Sequence, residues 1–222
     1  MKRTVLITGG SRGLGAAMAE RFRQQGHDVW TPSRKELDLA SPESLEAFIS
    51  REGSRPIDIL INNAGINILS LIETMDAATW QTMLQVNLLS PVRLTHALLP
   101  GMKERRWGRV LNVSSIMSLV TKEKRAAYSM TKAALNAFTR SLTVEYGPFG
   151  ILANTLCPGY VDSTLTRQNN SPQEIEAIAA TIPLRRLAQP EEIARTAYFL
   201  CSDENTYIAG QEIVADGGFL CQ

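Results

Sequence analysis

Three cysteines, two histidines and a formal net charge of +1 deny this 222-residue chain several common chemistries. Cys157, Cys201 and Cys221 lie far apart and form no CxxC pair, so neither a disulfide framework nor a cysteine metal site is expected. His27 and His96 stand alone, and no metal is expected. Lys plus Arg number 23 against 22 Asp plus Glu, too even a balance for a surface that holds nucleic acid. No run approaches the ~18–20 apolar residues of a membrane span. The basic start Met1-Lys2-Arg3 leads into an apolar stretch that stops at Thr8-Gly9-Gly10, too short for a secretory leader. These absences point to a soluble, cytoplasmic protein without a membrane partner.

Ordinary globular material remains, 44% hydrophobic and 20% charged, with no linker, repeat or low-complexity segment. One domain over 1–222 is expected. Short β-rich runs alternate with helical stretches. The runs Thr4–Ile7, Val29–Thr31, Leu37–Leu39, Ile57–Ile61, Arg109–Val113, Ile151–Cys157 and Glu212–Ala215 predict about seven strands. Between them, helices are predicted over Ala16–Gln25, from Ser41-Pro42, over Ala77–Val86, Pro91–Arg105 and Ala126–Tyr146, from Ser171-Pro172 to about Thr181, and over Pro190–Leu200. This alternation predicts an α/β fold, a Rossmann-type doubly wound parallel sheet with helices on both faces. Ligands of such sheets sit beyond the carboxyl ends of the strands.

The first strand runs into Thr8-Gly9-Gly10-Ser11-Arg12-Gly13-Leu14-Gly15. Glycines there allow a tight turn and bring backbone N–H groups and a helix N-terminus to a phosphate. The spacing is TGxxxGxG, neither GxGxxG nor a Walker pattern. The second strand ends in Thr31-Pro32-Ser33-Arg34, without the carboxylate that NAD binders place on the ribose 2′-OH. Arg12 and Arg34 can flank a 2′-phosphate, with Ser33 donating to it. NADP(H) is therefore the preferred cofactor and NAD(H) the alternative.

Tyr128 and Lys132 are four apart at the start of the long predicted helix, on one face. A phenol beside a cation can pass a proton to or from a substrate oxygen. Ser115 lies at the end of the strand Arg109–Val113, where its hydroxyl can bond such an oxygen. Asn62-Asn63-Ala64-Gly65 and Cys157-Pro158-Gly159 end two further strands on the same edge, and Asn87 stands between two predicted helices.

Taken together, TGGSRGLG, NNAG, Asn87, Ser115, Tyr128-xxx-Lys132 and Pro158-Gly159 resemble the short-chain dehydrogenase/reductase family in order and spacing over essentially the whole chain. The resemblance implies Tyr128 as acid/base and Lys132 as the residue that lowers its pKa and holds the nicotinamide ribose. It implies Ser115 as the substrate-oxygen anchor and Asn87 as a link from Lys132 through water to solvent. Ser114 is expected to be structural. Gly9, Ser11, Arg12, Gly13, Leu14 and Gly15 would line the pyrophosphate and adenosine, and Ser33 and Arg34 the 2′-phosphate. Asp38 and Leu39 would meet adenine, Asn63, Ala64 and Gly65 its ribose, and Pro158, Gly159, Val161 and Thr164 the carboxamide. Only Lys35-Glu36-Leu37 lies between Arg34 and Asp38, where the family places a helix, which opens one side of the adenine pocket.

Within the family the chain most resembles 3-oxoacyl-(acyl carrier protein) reductases. The implied substrate is a small carbonyl or alcohol compound, with a 3-oxoacyl thioester first. General ketone or aldehyde reduction and sugar or alcohol dehydrogenation are the alternatives, and a non-catalytic NADP-binding regulator the different class. Arg105-Arg106 supplies part of a surface for acyl carrier protein. Segment 163–189 is expected to form a substrate lid, with Met117, Leu119, Val120 and Tyr160 walling the site. The segments Pro91–Arg105 and Ala126–Tyr146 carry broad apolar faces, implying a homotetramer or homodimer.

Overall fold

Residues 1–221 are described by a computed structural model. Six parallel strands form one sheet: β1 (Thr4–Ile7), β2 (Asp28–Trp30), β3 (Ile59–Asn62), β4 (Gly108–Val113), β5 (Ile151–Pro158) and β6 (Glu212–Ala215). Their order is β2-β1-β3-β4-β5-β6. The order reverses at β1, which has β2 on one side and β3 on the other, so the switch point opens between β1 and β3.

Strand alternation divides the core. Val5 and Ile7 of β1, with Ile59 and Ile61 of β3, pack on α1 (Gly13–Gln24) and on α8 (Pro190–Cys201), the second reached through Ile193 and Leu200. Leu6, Leu60 and Val110 point the other way, toward α2 (Pro42–Glu52) and toward Leu94 and Leu98 of α4 (Ser90–Arg105). Leu142 of α5 (Ala126–Tyr146) joins that second face. Both faces of a parallel sheet are thus covered.

Local chemistry sets several helix starts. Ser41 Oγ accepts from the Ser44 N–H at 3.1 Å, and Pro42 fills the first turn of α2. Ser171 and Glu174 complete a capping box at α7 (Pro172–Thr181). Asp76 caps α3 (Ala77–Leu84), which passes through a π-helical turn (Gln85–Leu89) into α4. A short helix, α6 (Thr164–Asn169), follows β5.

The predicted strand Leu37–Leu39 does not form. Arg34 Nε donates to Asp38 Oδ2 at 3.2 Å, and Asp38 Oδ1 accepts from the Ala40 N–H at 3.0 Å. These bonds curl the segment into turns, although Leu37 and Leu39 are both buried as a strand reading requires. The sheet therefore has six strands rather than about seven among the described residues. No described helix is long and apolar enough to cross a membrane.

A polar row closes the core at the carboxyl edge. Asn62, Asn112 and Thr155 are register partners on β3, β4 and β5. Asn62 Nδ2 donates to Asn112 Oδ1 at 2.8 Å, and Asn112 Nδ2 to Thr139 Oγ1 of α5 at 2.8 Å. Thr155 Oγ1 donates to that same hydroxyl at 2.9 Å. All four side chains are buried, so each bond lost leaves a polar group without water. We predict that Asn112→Ala lowers stability by about 2 kcal/mol, or roughly 4–8 °C in Tm. An unchanged urea midpoint would remove this row as a stabilising element.

Candidate functional site

A cleft of about 630 Å³ lies along the carboxyl edge, across the β1/β3 switch point. The glycine-rich turn makes its floor. Gly9 and Gly13 have φ of +66° and +52°, which glycine adopts without strain. A Cβ on Gly15 would stand 2.2 Å from the Gly9 carbonyl oxygen, so the helix can start this close to the turn only with glycine there. Thr8 and Asn63 fasten the turn to the loop after β3. Thr8 Oγ1 accepts from the N–H groups of Asn63 and Ala64, both at 3.1 Å, and Asn63 Nδ2 donates to the carbonyls of Thr8 and Gly9 at 2.9 and 3.2 Å. Both donors of the Asn63 amide are therefore committed to the turn, which leaves its Oδ1 as the atom that can accept from a ribose hydroxyl.

Lys132 is 3% exposed, and its Nζ donates to the Val113 carbonyl at 2.8 Å. The same ammonium sits 5.7 Å from the Tyr128 ring centroid. Burial lowers the Lys132 pKa to about 8. Burial pushes the Tyr128 phenol up, opposed by a hydrogen bond with Ser115 and by the charge of Arg125. Ser115 Oγ accepts from the Met117 N–H at 3.1 Å and so faces Tyr128 as a donor. Ser114 Oγ donates to the Lys132 carbonyl at 3.2 Å, the structural part expected of it.

Asn87 lies in the π turn, fully buried behind the cleft. Its Oδ1 accepts from the Ile66 N–H at 2.9 Å, and its Nδ2 donates to the Ile66 carbonyl at 2.8 Å. A weaker bond at 3.3 Å reaches Thr131 Oγ1. The Asn87 amide thus grips the loop that carries Gly65. A Cβ on Gly65 would lie 3.4 Å from both Asn87 Oδ1 and Lys132 Nζ.

Of the predicted residues, the cleft brings together Gly9, Ser11–Gly15, Arg34, Asp38, Leu39 and Asn63–Gly65 with Ser115, Tyr128 and Lys132, and with Pro158, Gly159, Val161 and Thr164. Ser33 does not join them. Its N–H donates to the Glu36 carboxylate at 2.8 Å and its side chain bonds the same group, so the hydroxyl serves a local turn. Met117 and Tyr160 wall the cleft, whereas Leu119 and Val120 are exposed outside its lining. Arg105 and Arg106 border no part of it. Arg105 bonds the Ile57 carbonyl and Asp58, and Arg106 reaches Pro148, all at the opposite edge of the sheet. Segment 163–189 carries α6 and α7, and Asn169 Nδ2 donates across the cleft to the Asn67 carbonyl at 3.3 Å. Arg125 and Asn67 were missed. Arg125 is one helical turn before Tyr128, a spacing that could have drawn attention to it.

Arg12, Arg34, Arg125 and Lys132 line the cleft against one carboxylate, Asp38. Four cations, exposed turn amides and a cradle that no Cβ could enter fit a phosphate-bearing dinucleotide.

Known proteins are similar to this chain in sequence and in fold. The family model described as enoyl-(acyl carrier protein) reductase, a short-chain dehydrogenase model, matches residues 9–220. The acetoacetyl-CoA reductase of Shinella zoogloeoides is 35% identical over 237 residues, covering 98% of each chain. The 3-oxoacyl-[acyl-carrier-protein] reductase of Vibrio cholerae is 34% identical, over 97% of this chain and 96% of its own. The crystal structure of a gluconate 5-dehydrogenase from Burkholderia cenocepacia, in complex with NADP and tartrate, superposes with a TM-score of 0.88 at 27% identity. That match covers 100% of this chain and 97% of the other.

The buried ammonium yields a stability prediction. The folded pKa of Lys132, about 8, lies below its ordinary 10.5, so between those values the unfolded chain binds more protons and stability rises with pH. Below pH 8 the folded state carries the full cost of a buried charge. Lys132→Met should therefore melt at least as high as the wild type at pH 7, by about 2–4 °C above it for 1 kcal/mol relieved. Its advantage should shrink between pH 8 and 10.5. A variant that melts lower at pH 7 would mean that the bond to Val113 outweighs desolvation.

Proposed function

The chain belongs to the short-chain dehydrogenase/reductase family and is an NAD(P)-dependent oxidoreductase, and from that premise we propose that it reduces the carbonyl of a small substrate with NADP(H), using Tyr128 as acid/base. The observation that carries this reading is the convergence of Tyr128, Ser115 and Lys132 on one cleft that also holds the glycine-rich turn.

A nicotinamide held beside Tyr128 and Ser115 would supply the hydride. Ser115, its acceptor lone pair occupied by the Met117 N–H, donates its hydrogen to the substrate oxygen. Tyr128 donates its proton to the same oxygen, and both bonds strengthen as negative charge grows there. Lys132 stands beside the phenol and reprotonates it. Asn87 is a positioning residue that holds Ile66, and thereby Gly65, against the ammonium. α6 reaches the far wall of the cleft through the bond from Asn169 to Asn67.

Arg12 and Arg34 are the residues for the 2′-phosphate. Arg34 is already paired with Asp38 at 3.2 Å, so binding must share or break that pair. The NADP seen in the Burkholderia relative supports the cofactor choice. The thioester names of the relatives support a 3-oxoacyl substrate, and the gluconate dehydrogenase supports a sugar acid. Arg105 and Arg106 lie away from the cleft, so support for a carrier-bound substrate rests on the name of the Vibrio relative.

Nicotinamide absorbance, followed with NADPH and with NADH against acetoacetyl-CoA and a ketone and sugar panel, tests the reading. Tyr128→Phe should lower kcat about 10²–10⁴-fold while NADPH still binds. Survival of most of the activity would remove Tyr128 from the chemistry. Reduction needs a protonated phenol, so kcat/KM should fall as pH rises through its ionisation, and alcohol oxidation should do the reverse. A second measurement addresses the cofactor: Arg34→Asp should cost about tenfold in kcat/KM for NADPH and none for NADH. Equal losses with both would place Arg34 outside phosphate recognition.

A further inference from the structure

Among the described residues, Arg34 alone of the four cleft cations has a counter-ion. Arg34 is paired with Asp38, and Lys132 donates to the Val113 carbonyl. Arg12 stands at the glycine-rich turn, where the phosphates are placed. Arg125 lies at the other end, immediately before α5, and lines the same cleft. Among the described residues its guanidinium has no ion pair and no hydrogen bond. A partly buried guanidinium loses water on five N–H donors, a cost that a bidentate anion offsets.

Two further groups in the cleft are unsatisfied. Asn67 is 8% exposed, and its Oδ1 is buried without a partner. The Tyr160 hydroxyl is likewise buried and unpartnered. Both residues line the cleft. A carbonyl oxygen accepts only, so Asn67 calls for an O–H or N–H donor. The phenol of Tyr160 serves either way. A guanidinium, an acceptor and a hydroxyl together suit a compound bearing a carboxylate and hydroxyl groups.

Resting on the carbonyl-reductase reading above, we propose that Arg125 anchors a carboxylate of the substrate, with Asn67 accepting from one of its hydroxyls, so that the enzyme acts on a small hydroxylated keto acid in preference to a neutral ketone. Arg125 precedes Tyr128 by three residues, so an acid held there has the rest of its skeleton beside the phenol. The electrostatic pull of Arg125 on the Tyr128 phenol agrees with this proximity.

Two paired measurements test the proposal. In the first, calorimetry on the NADP⁺-saturated enzyme compares tartrate with threitol, which share a skeleton and differ in the carboxylates. Tartrate should bind the wild type, about ten- to a hundredfold weaker to Arg125→Gln, with part of the affinity restored in Arg125→Lys. Threitol should bind far more weakly than tartrate and show no dependence on residue 125. Tartrate binding that is absent, or equal in wild type and Arg125→Gln, overturns the anion site.

In the second, NADPH oxidation is followed with acetoacetate and with methyl acetoacetate. The ratio of kcat/KM for acid over ester should fall about tenfold or more in Arg125→Gln. A ratio unmoved by the substitution, with both ketones reduced, overturns the anion site and leaves the reductase reading intact. Tartrate binding through Arg125, without reduction of any ketone or sugar, overturns the reductase reading and leaves the anion site. Melting temperatures of both variants separate these outcomes from misfolding.

Discussion

Lys132 is buried, yet its ammonium donates to a backbone carbonyl and meets no carboxylate. A buried cation normally requires an anion or shifts its pKa, and here the pKa falls. The arrangement keeps a mobile proton near neutral pH at the end of β4. It also organises its neighbours. Tyr128 is one turn earlier on α5, Ser114 binds the Lys132 carbonyl, and Gly65 leaves room for the ammonium. A carboxylate partner would have stabilised the charge more fully and tied up the proton.

Much of this was legible in the sequence because it depends on local signals. α5 occupies the predicted Ala126–Tyr146, and the caps at Ser41 and Ser171 form as their side chains allow. The cleft gathers nearly every predicted cofactor residue because parallel strands bring all their carboxyl ends to one edge. What failed depends on partners that no local pattern reveals. Leu37 and Leu39 alternate as a strand would, but Asp38 found Arg34 and Ala40 instead of a neighbouring strand. Ser33 found Glu36. Arg125 belongs to no motif, and only the fold places it on the cleft without a partner. α6 is six residues, too short for periodicity to mark.

The two ends of the cleft differ in how firmly they are built. At the glycine-rich turn, Thr8 and Asn63 satisfy one another's backbone and leave little freedom. Beyond Tyr128, Asn67 and Tyr160 keep unsatisfied atoms and Arg125 an unpaired charge. A rigid cofactor end and an unsatisfied substrate end fit a family that keeps its cofactor chemistry and varies its substrates.

The π turn between α3 and α4 inserts one residue into a helix running from Ala77 to Arg105. The Ser90 N–H reaches back five residues to the Gln85 carbonyl. One residue is about 100° of helical rotation. The insertion is therefore a phase shift between the two helices, and Asn87 is buried within it, four residues after buried Met83 of α3 and four before buried Pro91 of α4. Deleting one residue from this turn would rotate α3 against α4 by about that angle and disturb the register that holds Asn87 on Ile66. Length variation of one residue, harmless in most surface helices, is here equivalent to losing a side chain.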